Sequence, residues 1–517
     1  MRISSNLFFQ TGLNSINAQQ SDLMHLYQQI GSGKRMVTPS DDPLGAAQAV
    51  NIRQAQSLNT RFGANREVAT RNLGTEENAL SSMTTLMQEL KTQLVAAGNG
   101  TLSDADRATL SNVLQNARSS MLGFANTTDG SGQYLFSGAK GGTAAFQEVN
   151  GKIVYMGDAG QRKIQADQTS QIAGSDVGSD IFNRAAPGTT SYLTRSVAGN
   201  GGTAVMSTPT ITDPAGNNVG KTFSVKFSAT VPNEYTIEIN DAAGSATTIV
   251  GPNLYDPNAG TLDLTGGVQV KLSGAPALGD SFVIEPANSP DYVALADAAN
   301  TSGATVSSPS VYDYSVTRPG DVFTIEFTAP DKYRVTVDNA AYTPASETFP
   351  VQDFVPGREN TLTLPYGMQV KVSGTPVAVP TADKFTVQAA AAGTKTDLNM
   401  FDTLDSIIDA LKNPMENDPI ATAAFQNTLA TAMQRLDVNY NNVLTVRSSV
   451  GARMNQIDAI SSNGAARSLS YSAQLSQLED VDYYTASAQL QLRTAALEAA
   501  ALAFKKIQST SLFNMKG

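Results

Sequence analysis

The chain has 517 residues, enough for three or four ordinary domains, each with its own core. Its 35 Lys and Arg stand against 46 Asp and Glu, a net charge of −11 with no basic stretch, which argues against nucleic acid and anionic membranes as partners. No cysteine or tryptophan occurs and His25 is the sole histidine, so disulfides, thiol catalysis and cysteine metal sites are excluded.

The opening residues, MRISSNLFFQTGLNSINAQQ, lack the charged, apolar and small-residue succession of a cleaved secretory signal. No run of about 18 apolar residues predicts a membrane span. The expectation is a cytosolic protein, or one that leaves the cell by a route needing no cleaved signal.

Leu13, Ile16, Gln20, Leu23, Tyr27 and Ile30 are spaced three and four apart and stop at Gly31-Ser32-Gly33, which predicts a short amphipathic helix. Such a helix is marginal alone and needs a partner. After it comes a loop, Lys34-Arg35-Met36-Val37-Thr38-Pro39-Ser40-Asp41-Asp42-Pro43. Asp42 can cap a helix that begins at Pro43, and capping and turn formation explain the Asp41-Asp42 pair better than acid/base or metal chemistry does. From Pro43 one frame runs through Ile52, Phe62, Ala69, Leu73, Glu76, Leu80, Met83, Met87, Leu90 and Leu94, predicting a helix of about fifty residues, the length of a rod or coiled coil. Gly98-Asn99-Gly100 turns the chain, and Ser103 with Asp106 three residues on predicts a capping box opening the next helix.

At Gln133-Tyr134-Leu135-Phe136-Ser137-Gly138 the period becomes that of strands, and Asn150-Gly151 predicts a hairpin turn. Between about 190 and 395 the sequence repeats itself. FSVKFS at 223 returns as FTIEFT at 323, YTIEI at 235 as YRVTV at 333, and QVKLSG at 269 as QVKVSG at 369. Two copies of one antiparallel β module are expected, apolar on one face of each strand and polar on the other. Helices resume at Asn399, and Phe425, Leu429, Ala432, Leu436, Val443, Val450 and Ile457 set a frame that lands on Leu478 and Val481, with Gly464 as the expected joint.

The last stretch shows apolar residues on two faces. Leu478, Val481, Thr485, Ala488, Leu492, Ala495, Ala499 and Leu502 form a coiled-coil seam. Outside it lie Tyr483, Leu490, Leu497 and Phe504 at intervals of seven, flanked by Ala486, Ala500 and Ile507. Two faces imply two neighbours, one within the chain and one in copies or relatives of it.

The predicted class is therefore α+β multidomain: a long antiparallel helical bundle or coiled coil from paired N- and C-terminal segments, with inserted antiparallel β domains. The expected divisions are residues 1–35 with 470–517 for terminal assembly, 36–132 with 397–469 for a helical rod, 133–190 for a β-hairpin region, and 191–300 and 301–396 for the two β modules.

The loop from Gly33 to Pro43 resembles the signature of the bacterial flagellin superfamily. The MRIS start, QYLFSG at 133–138, RSSVGARMNQID at 447–458, Leu478-Glu479-Asp480-Val481-Asp482 and Ser511-Leu512-Phe513 resemble its hook–filament junction members. The likeness covers about residues 1–185 and 397–517, and not the β repeats. It implies export through the flagellar type III apparatus and an extracellular place in a thin layer between hook-associated protein 1 and the first flagellin. It also implies contacts with copies of the same chain in a ring or helical layer, and an export chaperone on the C-terminal segment. On this basis Leu13, Ile16, Leu23, Tyr27, Ile30, Leu478, Val481, Tyr483, Leu490, Leu492, Leu497, Leu502, Phe504 and Ile507 are the expected assembly interface. Lys34, Arg35, Pro39, Ser40, Asp41, Asp42 and Pro43 are the family loop.

Catalytic signatures are weak. His25 has no second histidine, Ser137-Gly138-Ala139-Lys140 has no S-D-N or K-T-G downstream, and Gly31-x-Gly33 follows a helix. Neither an enzyme nor a cofactor is expected. The alternatives are a flagellin-type filament subunit, or a surface adhesin using its β modules to bind glycans.

Overall fold

The computed structural model describes residues 5–240, 248–288, 292–313, 316–318, 320–378, 381–389 and 398–509. It divides into two compact units, one of residues 1–67, 165–171 and 456–517 and one of residues 68–164 and 172–455.

Helix α1 (Ser5–Ser32) is followed by the long α2 (Pro43–Ala97) and by α3 (Asp104–Ala125). In the second unit α2 buries Ala69, Leu73, Glu76, Leu80, Met83, Met87, Leu90 and Leu94, the alternating spacing of a coiled-coil seam. The Ser103 capping box forms: Asp106 N–H donates to Ser103 Oγ at 3.2 Å, and Ser103 N–H donates to Asp106 Oδ2 at 3.1 Å.

Gln133–Gly138 is not a strand. Leu135, Phe136 and Ser137 are buried consecutively, without the alternation of a strand, in a bent segment joined by one bridge, Thr128 to Tyr134. The Phe136 ring meets Phe182 edge-on, and Phe182 and Phe146 both contact Phe401. Strands β1 (Phe146–Val149) and β2 (Lys152–Tyr155) pair across Asn150 and Gly151, whose φ angles of 52° and 80° meet the requirement of a primed turn. Then come β3 (Lys163–Gln165), β4 (Gln171–Ala173) and α4 (Gly178–Phe182). A Cβ on Gly178 would lie 2.9 Å from the Phe136 carbonyl and from the Phe146 and Tyr155 rings, so only glycine fits.

The first β module comprises β5 (Tyr192–Ser196), β6 (Val205–Met206), β7 (Thr210–Ile211), β8 (Thr222–Phe227), β9 (Glu234–Asn240), β10 (Thr248–Leu254), β11 (Thr261–Asp263), β12 (Val268–Ser273) and β13 (Ser281–Pro286). The second comprises β14 (Tyr292–Ala296), β15 (Thr305–Val311), β16 (Val322–Ala329), β17 (Lys332–Asp338), β18 (Ser346–Thr348), β19 (Gln352–Asp353), β20 (Asn360–Thr363), β21 (Met368–Ser373) and β22 (Lys384–Ala389). Sheet order is β10-β9-β8-β13-β5 with β11-β12-β6 in one, and β18-β17-β16-β22-β14 with β20-β21-β15 in the other. The orders correspond, with β6 and β7 together in the place of β15, and β18 and β19 together in the place of β10. Each sandwich closes on alternate residues of its repeated phrases: Phe223, Val225 and Phe227 in one core, Phe323, Ile325 and Phe327 in the other. The opening and closing strands pair in both, Tyr192 with Pro286 and Tyr292 with Ala389.

Helices α5 (Met400–Lys412), α6 (Pro419–Glu479) and α7 (Tyr483–Ser509) complete the chain. The first module is bonded to α6 through buried side chains. Thr194 N–H donates to Gln434 Oε1 at 2.8 Å, and Asn427 Nδ2 donates to the Ala204 carbonyl at 2.9 Å. The second is held by Ala159 N–H donating to the Tyr312 carbonyl at 2.7 Å and by a Lys140–Asp313 ion pair of 2.6 Å.

Candidate assembly interface

Within the first unit α1 and α7 pack side by side. The predicted frame of α1 is partly corrected. Ile16, Leu23 and Ile30 are half-buried as one line of the seam, but its companion line is Gly12, Gln19 and Leu26 rather than Leu13, Gln20 and Tyr27. Leu26 is the most buried of these, while Leu13 and Tyr27 stay 40% and 53% exposed. Either companion line completes a heptad with Ile16, Leu23 and Ile30, in two different registers, and opposing geometry decides between them. A Cβ at Gly12 would lie 3.2 Å from the Phe504 ring, so the small residue lets the ring approach.

On α7 the face turned to α1 is the second predicted stripe, with Ala486 buried and Leu490, Leu497 and Phe504 half-buried. An Asp22–Arg493 ion pair adds to it. The coiled-coil seam of α7 itself points outward. Leu492 and Leu502 are 71% and 68% exposed, and Thr485, Ala488, Ala495 and Ala499 are exposed beside them. Leu478 and Val481 are half-buried, Tyr483 is exposed with its hydroxyl near Gly33, and the Ile507 side chain lies outside the described residues.

The family loop turns α1 into α2 beside the break between α6 and α7, and the two breaks are stitched together. Arg35 N–H donates to the Glu479 carbonyl at 2.6 Å, and Val481 N–H to the Gly33 carbonyl at 3.0 Å. Glu479 is buried and takes ion pairs from Lys34 at 3.4 Å and Arg53 at 2.5 Å; Arg35 Nη2 donates to the Leu478 carbonyl at 3.0 Å. Asp42 caps α2, accepting from Gly45 N–H at 2.9 Å, and its other oxygen meets Arg35 at 3.1 Å. Asp41 accepts from Thr38 N–H at 2.8 Å, Val37 N–H at 2.9 Å and the Thr38 hydroxyl, and His25 lies 3.1 Å away. Those bonds, the Thr38 N–H first, lower the Asp41 pKa to about 2. Pro39, Ser40 and Pro43 are exposed and shape the turn. Arg53, and the buried role of Glu479, escaped the sequence reading because a charge inside a helical run reads as solvated surface, and Leu26 escaped it because the frame through Leu13 and Tyr27 passes it by.

Gly464 is not the joint. Helix α6 passes through it unbroken and ends at Glu479, and α7 restarts after Asp482, which caps it through Tyr484 N–H at 3.0 Å. The glycine instead makes room for a buried side chain, because a Cβ there would lie 2.5 Å from Arg66 Nη2. Arg66 donates to Ser461 Oγ at 3.1 Å and to the Ala166 carbonyl at 2.9 Å, and Asn59 Nδ2 donates to the Gly464 carbonyl at 2.8 Å. Arg467 grips Asp167 with both guanidinium arms at 3.0 and 3.1 Å. Among the described residues no group of three or more side chains is arranged to hold a metal ion.

Two family models match the chain: the bacterial flagellin N-terminal helical region over residues 3–141 and the bacterial flagellin C-terminal helical region over residues 433–515. The flagellar hook-associated protein 3 of Escherichia coli strain K12 is 42% identical over 183 residues, 35% of this chain and 57% of that protein. The chain thus spans little more than half the length of this relative. Among solved structures, FlgL of Xanthomonas campestris covers 82% of this chain and 99% of its own, with a TM-score of 0.53 at 24% identity. The flagellar junction protein FlgL of Legionella pneumophila covers 84% of this chain and 100% of its own, with a TM-score of 0.52 at 20% identity. At such identities the shared property is the fold.

Proposed function

We propose that this chain, which carries both terminal helical regions of the bacterial flagellin family, is a structural component of the flagellum that forms the junction layer between hook and filament. The observation that carries the reading is the outward stripe of Leu492 and Leu502 on a helix whose other face is already occupied by α1. A coiled-coil seam left exposed in the single chain is a surface for neighbouring helices. The resemblance to hook-associated protein 3, 42% identical over 183 residues, supports the junction in particular. In this reading the layer contacts hook-associated protein 1 on one side and flagellin on the other, with copies of the chain as lateral neighbours. The C-terminal segment is held by an export chaperone before assembly, and the protein reaches the flagellum by type III export. The role is assembly rather than catalysis, and the exposed polar faces of the β modules are the surface variation of the layer.

Deleting the gene tests the proposal. The expected result is intact hooks with flagellin shed as monomer into the medium. Continued growth of filaments would overturn it. Spontaneous polymerisation of the purified chain into long filaments would instead support a flagellin-type subunit.

A further inference from the structure

Outside the assembly surface, the second unit buries a carboxyl group that the proposed role does not use. Glu76 on α2 has no exposed surface. Its Oε1 accepts from Asp176 N–H at 3.1 Å, and its Oε2 is buried with no hydrogen-bond partner. The nearest charges are the Asp176 carboxylate and Arg453 of α6. Among the described residues, Arg453 is ion-paired to Asp176, donates to the Ala173 carbonyl at 3.3 Å and forms no hydrogen bond with Glu76. Asp176 also accepts from Gln161 Nε2 at 2.8 Å. The other charges nearby are committed to each other: Glu77 with Arg447 at 2.5 Å, and Asp180 with Arg184 at 3.0 Å.

The local count is two carboxyl groups against one guanidinium that is spent on Asp176. An ionised Glu76 would be a buried charge without a counterion beside a second anion, an arrangement that destabilises the fold. We propose that Glu76 is a proton-holding clasp, neutral in the folded unit, whose ionisation loosens α2 from the segment around Asp176 and from α6. Burial first, and the Asp176 charge second, push the Glu76 pKa up to about 8. A raised carboxyl pKa means that the folded unit holds a proton the unfolded chain has released. Stability therefore falls as pH rises from about 4.5 towards 8 and stays low above it.

The test compares the full-length chain with its Glu76→Gln and Glu76→Ala variants. Two readouts are used: the titration of the Glu76 carboxyl followed by 13C NMR in the wild type, and amide hydrogen exchange of residues 70–83 between pH 6 and 9.5, corrected for intrinsic rates. The expected result is a Glu76 titration well above the ordinary carboxylate range, with protection of the wild-type helix lost in parallel. Glu76→Gln, a neutral mimic of the acid, keeps its protection at every pH. Glu76→Ala loses protection at every pH, through the cavity it leaves, without the pH step. A Glu76 that titrates near 4, or a Glu76→Gln variant less protected than wild type at pH 6, would overturn the proposal and assign an ionised partner of Arg453 instead.

Discussion

Replacing Leu492 and Leu502 by Asp separates the outward stripe of α7 from the fold of the single chain. Fully burying a leucine contributes about 1.5–3 kcal/mol. With 71% and 68% of these residues exposed, about two thirds of that is still to be gained, so about 1.5 kcal/mol each on assembly. The pair amounts to about 3 kcal/mol per contact, or about a hundredfold in affinity, before the further cost of burying two carboxylates. The double variant is expected to keep the helical circular dichroism and the melting curve of the wild-type monomer while losing incorporation at the hook tip and swimming motility. Leu26→Asp, on the stripe already filled, is expected to lower monomer helicity before any assembly step. Undiminished incorporation of the double variant would refute the assignment. So would a loss of monomer helicity as large as that of Leu26→Asp, since the stripe would then serve the chain's own fold.

Gln434→Ala removes a buried acceptor from Thr194 N–H and is expected to cost about 1–3 kcal/mol, read as faster hydrogen exchange along β5. Asp42→Ala removes the cap of α2 and is expected to cost about 1 kcal/mol, read as a lower unfolding midpoint in urea of the transition that includes the first unit. The Asp41 contribution is present above its unfolded pKa of about 4 and is lost as pH falls through about 2. The Val37 and Thr38 amides are therefore expected to lose protection from exchange between pH 4 and 2, and Asp41→Asn to abolish that step. Gly178→Ala is expected to destabilise the second unit by about 1–3 kcal/mol, because its Cβ meets a carbonyl and two rings; an unchanged melting temperature would show that the aromatic cluster yields.

The long helices and the two repeated β modules were legible because their periods are long and clean, whereas the choice of sandwich over barrel was not. Every position that the spacing assigned to the seam of α2 from Ala69 to Leu94, and to the inner face of the repeated FSVKF and FTIEF phrases, is buried, although Ala79 and Thr84 beside the seam are buried as well. The frame of α1 was ambiguous for a physical reason: Ile16, Leu23 and Ile30 fit two heptads, and the choice rests on Phe504, almost five hundred residues away. Gly464 misled because a helical glycine suggests a flexible joint, whereas here it is space for Arg66. Gln133–Gly138 misled because a short apolar run between polar residues and a glycine reads as a strand, whereas here Leu135, Phe136 and Ser137 are buried consecutively in a bent segment. The loop residues were named from resemblance, but the contacts of Lys34 and Arg35 with Glu479 could be found only once the two breaks lay together.

The paired end strands of the two modules bear on how such a chain can vary in length. Where an excursion of about a hundred residues departs and returns at neighbouring points, the host chain closes the same short gap whether the excursion is present, absent or doubled. Tyr192 facing Pro286 and Tyr292 facing Ala389 act as ports of one gauge, and among the described residues each sandwich has its own core cluster. Tandem copying can then enlarge the outer surface without a compensating change in the helices, which leaves the helical scaffold free to be held to a fixed geometry while the exterior diverges.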